Sequence, residues 1–305
     1  MPKILKRLRL KEWQSFAASD ERWFIFIRLF DAKFLGTASL EIWDRREHRR
    51  YGFRKLLVGS PVAQGDSLYP SGRRYKASHA GIELKVDAAS GEASALAFAI
   101  PKRGPSLTCR LRFSMKSGAC APYSACMPLG LSRAACFSRV LMPASGELVV
   151  GDERFVLNGS TAAGMFDDGK AFLPLRHQSD RLSGFGTDAS GRRVGFWLSD
   201  PDGREPGKFY ENRLLLGDRT WPLPPVKVTH PYGPDREWII QDTEGMVDLV
   251  FTPEAPHDFV FTLGLVVIDF HEPFGRFEGV LKNASGDSVA AGVLYGRGET
   301  QFIRI

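Results

Sequence analysis

The sequence is dominated by short apolar or alternating segments that are separated by tight-turn residues. Glycine, asparagine and aspartate tolerate the positive φ angles of tight hairpin turns, so each break of this kind predicts an antiparallel hairpin. Such breaks separate the segments 34–43 and 51–58, 81–86 and 95–100, 146–150 and 154–157, 182–186 and 194–198, 214–216 and 220–223, and 277–282 and 289–295. Turn signals at this spacing are typical of an antiparallel sandwich or barrel.

Helices are not indicated anywhere in the chain. No stretch of about 12 residues has a 3.6-residue apolar period, and strands do not alternate with helical segments. The chain is therefore predicted to be all-β, and its 305 residues, 43% of them apolar, suffice for one large or two smaller cores. The Pro-, Ser- and Gly-containing segment 140–147 predicts a joint, so we expect domains at 1–145 and 146–305.

Several classes of protein are disfavoured by missing features. No apolar run approaches the roughly 20 residues that span a bilayer, and the basic N-terminus has no apolar stretch typical of a secretory signal. We therefore expect a cytoplasmic protein with four reduced cysteines, because the spacings of Cys109, Cys120, Cys126 and Cys136 fit no zinc or thioredoxin-like pattern. Phosphate-loop, dinucleotide-binding and serine-hydrolase motifs are also missing from the sequence, and we expect neither a metal nor a cofactor.

Basic residues are concentrated at the start of the chain. Residues 1–55 contain 14 Lys and Arg against 7 Asp and Glu, whereas the net charge of the whole chain is +6. One interpretation is a surface that docks on anionic membranes. The other is a solvated strand end and turn, which is the usual meaning of a charge run. No nucleic-acid-binding motif accompanies the charge, so nucleic acid is not an expected partner.

The segment 165–177 (MFDDGKAFLPLRH) contains the adjacent carboxylates Asp167 and Asp168, followed by His177. One interpretation is a turn, because Asp-Asp-Gly is common in turns. The other is a strand in which only one of the two carboxylates faces the interior, because adjacent strand residues point to opposite faces. A buried carboxyl of this kind could act as a general acid.

Two further segments place polar groups beside apolar strands. Glu211 and Asn212 precede an apolar strand, where they could orient a ligand at a cavity mouth or cap a sheet edge. In 237–253 (EWIIQDTEGMVDLVFTP), Trp238 and Asp248 lie on two predicted strands around an Asp-Thr-Glu-Gly turn. Asp248 either points outward from a one-sided sheet or lines a ligand cavity.

Several segments together resemble the bacterial family called domain of unknown function 2804. They include RLKEW at 9–13, YGFRK at 51–55, LMPASG at 141–146, VGFWL at 194–198, LPPVKV at 223–228, PFGRFE at 273–278 and YGRGE at 295–299. The family is more distantly similar to paired lipocalin-like barrels, which include carotenoid hydratases and tocopherol cyclases. The resemblance implies two β-barrel domains and a cavity for a lipophilic molecule. It assigns no catalytic residue.

These observations lead to one functional hypothesis and two alternatives. The hypothesis is a protein that binds a lipid or isoprenoid, with cofactor-independent hydration, isomerisation or cyclisation as its reaction if it is an enzyme. In that case Asp167 or Asp168 donates the proton, and the cavity is lined by Glu211, Asn212, Trp238, Asp248 and His177. The alternatives are a lipid carrier that docks on anionic membranes and a carbohydrate-active or carbohydrate-binding β protein.

Overall fold

The computed structural model describes residues 9–33, 35–59, 72–116, 118–129, 133–201, 211–256, 258–263 and 266–304. In these residues the elements are twenty-four strands, β1 to β24, and one short 3₁₀ helix, Ala291–Val293. The all-β prediction is confirmed. Within the same residues, no helix is long and apolar enough to cross a membrane.

Twelve strands form the N-terminal sheet, in the order β4-β3-β2-β1-β12-β10-β8-β7-β6-β5, with β9 and β11 also paired with β10. They are β1 Leu10–Ser19, β2 Trp23–Asp31, β3 Leu35–Asp44, β4 Arg49–Val58, β5 Gly72–Lys76, β6 Ala80–Asp87, β7 Glu92–Ala99, β8 Leu107–Ser114, β9 Ala121–Pro128, β10 Ala134–Val150, β11 Glu153–Leu157 and β12 Ala163–Phe172.

The C-terminal sheet also has twelve strands, in the order β16-β15-β14-β13-β24-β22-β19-β18-β17, with β20, β21 and β23 off this path. They are β13 Arg176–Thr187, β14 Arg193–Pro201, β15 Arg213–Leu216, β16 Arg219–Pro222, β17 Val226–Thr229, β18 Trp238–Asp242, β19 Val247–Ala255, β20 Asp258–Leu263, β21 Val266–His271, β22 Phe274–Lys282, β23 Ser288–Ala290 and β24 Leu294–Arg304.

All six predicted hairpins are present, although the strand predicted at 289–295 ends at Ala290, where the 3₁₀ helix begins. They join β3 to β4, β6 to β7, β10 to β11, β13 to β14, β15 to β16 and β22 to β23. In five of the turns a glycine has positive φ, as the turn residues predicted: Gly91, Gly151, Gly191, Gly217 and Gly286. The longer connection between β3 and β4 instead places His48 at a φ of 48°.

The division of the chain differs from the predicted boundary at residue 145. One compact unit is Met1–Cys126 with Ala134–Phe172, and the other is Met127–Arg133 with Leu173–Ile305. The 17-residue strand β10 runs through the predicted joint, with Pro143 opposite Ala163 on β12. Because β12 also pairs with β1, it belongs to the N-terminal unit, and the change of unit follows Phe172.

The two faces of the N-terminal sheet carry different residues. Its inner face holds an apolar cluster that includes Phe16, Ile27, Leu84, Val140 and Phe166. Strand alternation places the residues between these positions on the outer face. On β1 and β12 both faces are largely buried, so polar side chains on these two strands need partners within the protein.

The cysteine prediction was wrong for two of the four residues. Cys126 on β9 and Cys136 on β10 form a disulfide, with their Cα atoms 4.0 Å apart, whereas Cys109 and Cys120 are free and buried. Burial raises the pKa of the Cys109 thiol. Spacing rules test for metal and redox motifs and do not show which cysteines face each other on paired strands. A cytoplasmic location, which rested partly on reduced cysteines, stays a prediction.

Candidate functional site

Asp167 and Asp168 lie in the middle of strand β12, so the turn interpretation of this segment was wrong. Each pairs with residues on both neighbouring strands: Asp168 is opposite Gln14 and Ser138, and Asp167 is opposite Ser15 and Arg139. Asp168 alternates with Phe166 of the inner apolar cluster and therefore faces inward, while Asp167 faces outward. The two carboxylates thus belong to two different sites.

On the inner face, Asp168 forms a fully buried ion pair with Arg73. Arg73 lies on β5, at the far end of the sheet order, and its Nη2 donates to Asp168 Oδ1 at 2.9 Å. Neither side chain has any exposed surface. Gln14 Nε2 approaches Asp168 Oδ2 at 3.5 Å. The pair shows that the sheet curls, because it joins an edge strand to a strand in the middle of the sheet.

Four more charged residues continue this inner polar cluster, which we define as Glu12, Gln14, Asp31, Lys33, Arg73, Asp168 and Lys170. Glu12 is bound by Lys33 and, at 2.9 Å, by Lys170, and Lys33 Nζ also lies 3.5 Å from Asp31. Burial opposes ionisation of Glu12, but the hydrogen bonds and charges of the two lysines outweigh it and lower the pKa of its carboxyl. Glu12 is therefore an anion at neutral pH.

Three polar atoms of the inner polar cluster have no partner among the residues that the structure describes. They are Nε and Nη1 of Arg73 and Oε1 of Gln14, and all three are buried. Burial lowers the pKa of Arg73, although the charges of Asp168, Glu12 and Asp31 raise it. Because unpaired buried polar groups are costly and rare, these atoms mark the inner polar cluster as a candidate binding site.

Apolar side chains adjoin the inner polar cluster. Phe16 follows Gln14 by two residues and Phe166 precedes Asp168 by two, and their ring centroids are 4.8 Å apart. Strand β7 presents only methyl groups to the inner face, from Ala93, Ala95, Ala97 and Ala99. In register, Ala95 is opposite Leu84, which is itself opposite Arg73. Small side chains on β7 therefore lie at the same level of the sheet as the backbone of Arg73.

On the outer face, Asp167 accepts hydrogen bonds from two neighbouring strands. Trp13 Nε1 donates to Oδ2 at 2.6 Å, and Arg139 Nε donates to Oδ1 at 3.0 Å. The guanidinium of Arg139 lies 3.8 Å from the ring centroid of Phe137, which is a cation–π contact. A Cβ at Gly169 would collide with the Trp13 ring, so only glycine lets the ring lie across β12.

The predicted ligand residues Glu211 and Asn212 are both buried, at 2% and 0% exposure. Asn212 Oδ1 accepts from the Ser199 backbone N–H, and its Nδ2 donates to the Pro224 carbonyl, both at 2.8 Å. Both ends of this amide therefore form hydrogen bonds with backbone groups. This matches the alternative in which Asn212 caps a sheet edge. Glu211 lies close enough to His177 for its charge to raise the pKa of that histidine.

His177 is buried on β13, and its Nε2 has no hydrogen-bond partner among the described residues. Burial and, to a smaller extent, the charge of Arg181 lower its pKa to about 4, against the partial opposition of Glu211. The side chain is therefore a neutral imidazole at neutral pH.

The neutral state of His177 makes stability depend on pH. Below pH 6.5 the unfolded chain binds a proton on this residue, whereas the folded chain binds it only below about pH 4. Stability is therefore lost as the pH falls, and we expect the free energy of unfolding to drop by roughly 2 kcal/mol from this residue between pH 6.5 and 4.5.

Urea denaturation across this range should show a smaller loss of stability in His177→Gln than in the wild-type protein. The matched change at exposed His79 should leave the loss unaltered; an equal loss in wild type and His177→Gln would contradict the assignment.

Trp238 and Asp248 occupy opposite environments. Trp238 is fully buried in the apolar cluster of the C-terminal sheet, where its ring contacts Phe251 and its Nε1 donates to the Pro234 carbonyl at 2.9 Å. A Cβ at Gly298 would lie 2.8 Å from the Trp238 ring, so the ring fills the core. Asp248 is exposed and accepts from Gln241 at 3.0 Å. Asp248 therefore points outward from the sheet, as the alternative interpretation had it, and the prediction that it lines a ligand cavity was wrong.

The basic N-terminal region is only partly described. Residues 1–8 lie outside the described residues. The other basic residues of this region include Arg46, Arg49 and Lys55, whose side chains are exposed on the β3–β4 hairpin. Asp44 anchors this hairpin, because it binds Arg22 through both carboxylate oxygens and accepts from the Arg46 backbone. Docking on an anionic membrane stays a prediction.

Sequence reasoning missed Arg73, Gln14 and Glu12. In β1, Glu12 and Gln14 alternate with Phe16 and Ala18, a pattern that places polar and apolar groups on one face and that could have been noticed. Arg73 gave no such signal, because its partner Asp168 is 95 residues away. Within the described residues, no group of three His, Cys, Asp or Glu side chains is placed to hold a metal ion.

Comparison with known proteins yields one family and several solved structures. The model of the family described as domain of unknown function (DUF2804) matches residues 3–304. No protein in the curated set matches the sequence. The crystal structure of kievitone hydratase from Nectria haematococca has a TM-score of 0.57 and 10% identity, and covers 96% of this chain and 88% of its own. The crystal structure of CghA with Sch210972 has a TM-score of 0.52 and 14% identity, and covers 97% of this chain and 88% of its own. These likenesses confirm the predicted fold of two lipocalin-like antiparallel β domains in tandem.

Proposed function

The chain belongs to the family of domain of unknown function 2804, and from this starting point we propose that it binds a lipophilic small molecule on the inner face of its N-terminal sheet. The inner polar cluster would hold the polar end of the molecule. The apolar residues beside it would surround the rest. Clefts with mostly apolar walls and a few convergent polar groups are the usual form of a small-molecule site.

The observation that carries this proposal is the set of buried polar atoms without partners. Arg73 Nε and Nη1 and Gln14 Oε1 are themselves buried. The contacting Phe16 and Phe166 rings occupy the inward positions next to Gln14 and Asp168 on strands β1 and β12. A cluster that served stability alone would gain by satisfying these atoms or by replacing the charges with apolar groups. Partners from a bound molecule account for their retention.

The two solved structures support the same class of function. One is named a hydratase, and the other was crystallised with a compound, Sch210972. Both share the fold over nearly the whole of this chain. They favour a small molecule over a membrane surface or a protein as the partner of this fold, while the lipophilic character rests on the apolar inner face of this chain.

Acid catalysis by the Asp167–Asp168 pair receives less support than binding. A general acid must hold a proton, whereas each carboxylate accepts a hydrogen bond from a guanidinium, at 2.9 Å from Arg73 and 3.0 Å from Arg139. We therefore assign Asp168 the role of a positioning residue for Arg73. Hydration, isomerisation or cyclisation would need a proton donor from elsewhere, such as the ligand itself or water.

The proposal predicts that added bulk at Ala95 blocks binding. A neutral lipophilic fluorophore, N-phenylnaphthylamine, should bind the wild-type protein, and Ala95→Leu should weaken it by about tenfold, or ~1.4 kcal/mol, because three carbon atoms would enter the space at the level of Arg73. Fluorescence titration gives the affinity, and urea denaturation gives the stability of each variant.

The control is Ser94→Leu, which adds bulk to the other face of the same strand and should leave the affinity unchanged. If instead Ala95→Leu lowers stability by the roughly 1–3 kcal/mol of an overpacked core and leaves the affinity unaltered, the inner face is filled by protein. The binding proposal would then be abandoned.

A further inference from the structure

We propose that the polar end of the ligand is a neutral hydroxyl group, and that the ligand is therefore a lipophilic alcohol or phenol, not a fatty acid or a phosphorylated lipid. The inference rests on the proposed function and assigns the chemical class of the molecule bound there. It follows from which of the unpartnered atoms are donors and which are acceptors, and from the charge balance of the inner polar cluster.

The unpartnered atoms include both donors and an acceptor. Arg73 offers two donor nitrogens, Nε and Nη1, while Gln14 offers an acceptor, Oε1. The orientation of the Gln14 amide follows from its neighbour, because the carboxylate of Asp168 can only accept and so faces Nε2. A hydroxyl group accepts from Arg73 and donates to Gln14 at once. A ketone or ether satisfies only Arg73, and a hydrocarbon satisfies neither residue.

The charges of the inner polar cluster balance without a ligand. Its three carboxylates, Glu12, Asp31 and Asp168, face three cations, which are Lys33, Arg73 and Lys170. The neighbouring cation Lys11 alternates to the outer face of β1, from which it still interacts electrostatically with Asp31. A ligand carboxylate would add a fourth negative charge to these three, beside Asp168, whose own partner is Arg73. A buried charge without a counterion is strongly disfavoured.

The surroundings fit a long or cyclic apolar body attached to the hydroxyl. Phe16 and Phe166 adjoin Gln14 and Asp168 on their own strands, and their rings are in contact. The alanine row of β7 passes the level of Arg73 at Ala95 and continues to Ala97 and Ala99. The hydroxyl would therefore be held at one end of an apolar surface.

The experiment compares three ligands of equal chain length, dodecanol, dodecyl methyl ether and dodecanoate, by displacement of N-phenylnaphthylamine from the full-length protein. The hydroxyl group should make dodecanol about 3- to 10-fold tighter than the ether, as one extra hydrogen bond predicts. It should bind at least ~10-fold tighter than dodecanoate, whose charge is uncompensated. This ranking needs only the wild-type protein.

A variant tests whether the order of the three ligand affinities depends on Gln14 Oε1. Gln14→Met removes the acceptor at similar volume and should abolish the advantage of dodecanol over the ether, whereas the same change at exposed Gln241 should preserve it. Tighter binding of dodecanoate, or an unchanged ranking in Gln14→Met, would overturn the hydroxyl assignment. Equal affinity for all three ligands would also overturn it and leave lipophilic binding intact, while a failure of the fluorophore itself to bind would remove the proposed function.

Discussion

Replacement of Asp168 by leucine is expected to lower the free energy of unfolding by about 3–5 kcal/mol. The change leaves Arg73 without its counterion at a position where its side chain has no exposed surface. It also removes the group that Gln14 approaches. Urea denaturation monitored by circular dichroism measures the loss, and a loss below about 1 kcal/mol would contradict the burial of the pair.

The double variant Arg73→Met with Asp168→Leu is the matched control. Replacing both members of a buried ion pair by apolar residues of similar volume is often neutral or stabilising, so the double variant should recover most of the stability lost in Asp168→Leu. It should nevertheless bind both dodecanol and dodecyl methyl ether more weakly than the wild-type protein does, because both unpartnered donors of Arg73 are gone. Stability and recognition are thereby separated in one protein.

Replacement of Trp238 by alanine is expected to cost about 3–5 kcal/mol, the usual range for removal of a buried tryptophan. The ring is fully buried, packs against Phe251, and lies where Gly298 has no side chain. Its removal would leave a cavity that the flanking strands cannot close. Thermal and urea denaturation measure the effect.

The neighbouring residue Ile239 offers a comparison on the same strand, because it is 38% exposed. Ile239→Ala should cost about 1 kcal/mol or less, as expected for a partly exposed position. Similar costs for Ile239→Ala and Trp238→Ala would show that Trp238 borders open space, as the sequence-based hypothesis of a cavity-lining residue required.

The sequence predicted the strand connections well because they depend on local chemistry. A glycine with positive φ, such as Gly151 or Gly217, determines a tight turn without reference to distant residues. The domain boundary predicted from segment 140–147 was wrong because that prediction, too, used only local signals. Its proline and glycine are local signals of a joint, but the pairing of Pro143 with Ala163 in another strand places them inside a sheet.

The candidate site was only half visible in the sequence. Asp168 was singled out, yet its role depends on Arg73 on an edge strand, and no local pattern joins the two. Asp167 and Asp168 share a dipeptide but lie on opposite faces with different arginines. Asn212 looked like a ligand residue because a polar side chain beside an apolar strand has the same sequence signature whether it holds backbone or substrate.

The pairing of first and last strands also determines how each unit can fold during synthesis. Strand β1 pairs with β12, and the residues that they join, such as Trp13 and Asp167, are 154 positions apart. At about 5–20 residues per second, one edge of the β1–β2 hairpin stays unpaired for roughly 10–30 s while the ribosome makes the intervening strands. An open edge is a template for pairing with other chains. The N-terminal unit is therefore most vulnerable to aggregation as a nascent chain, before its own last strand has been made.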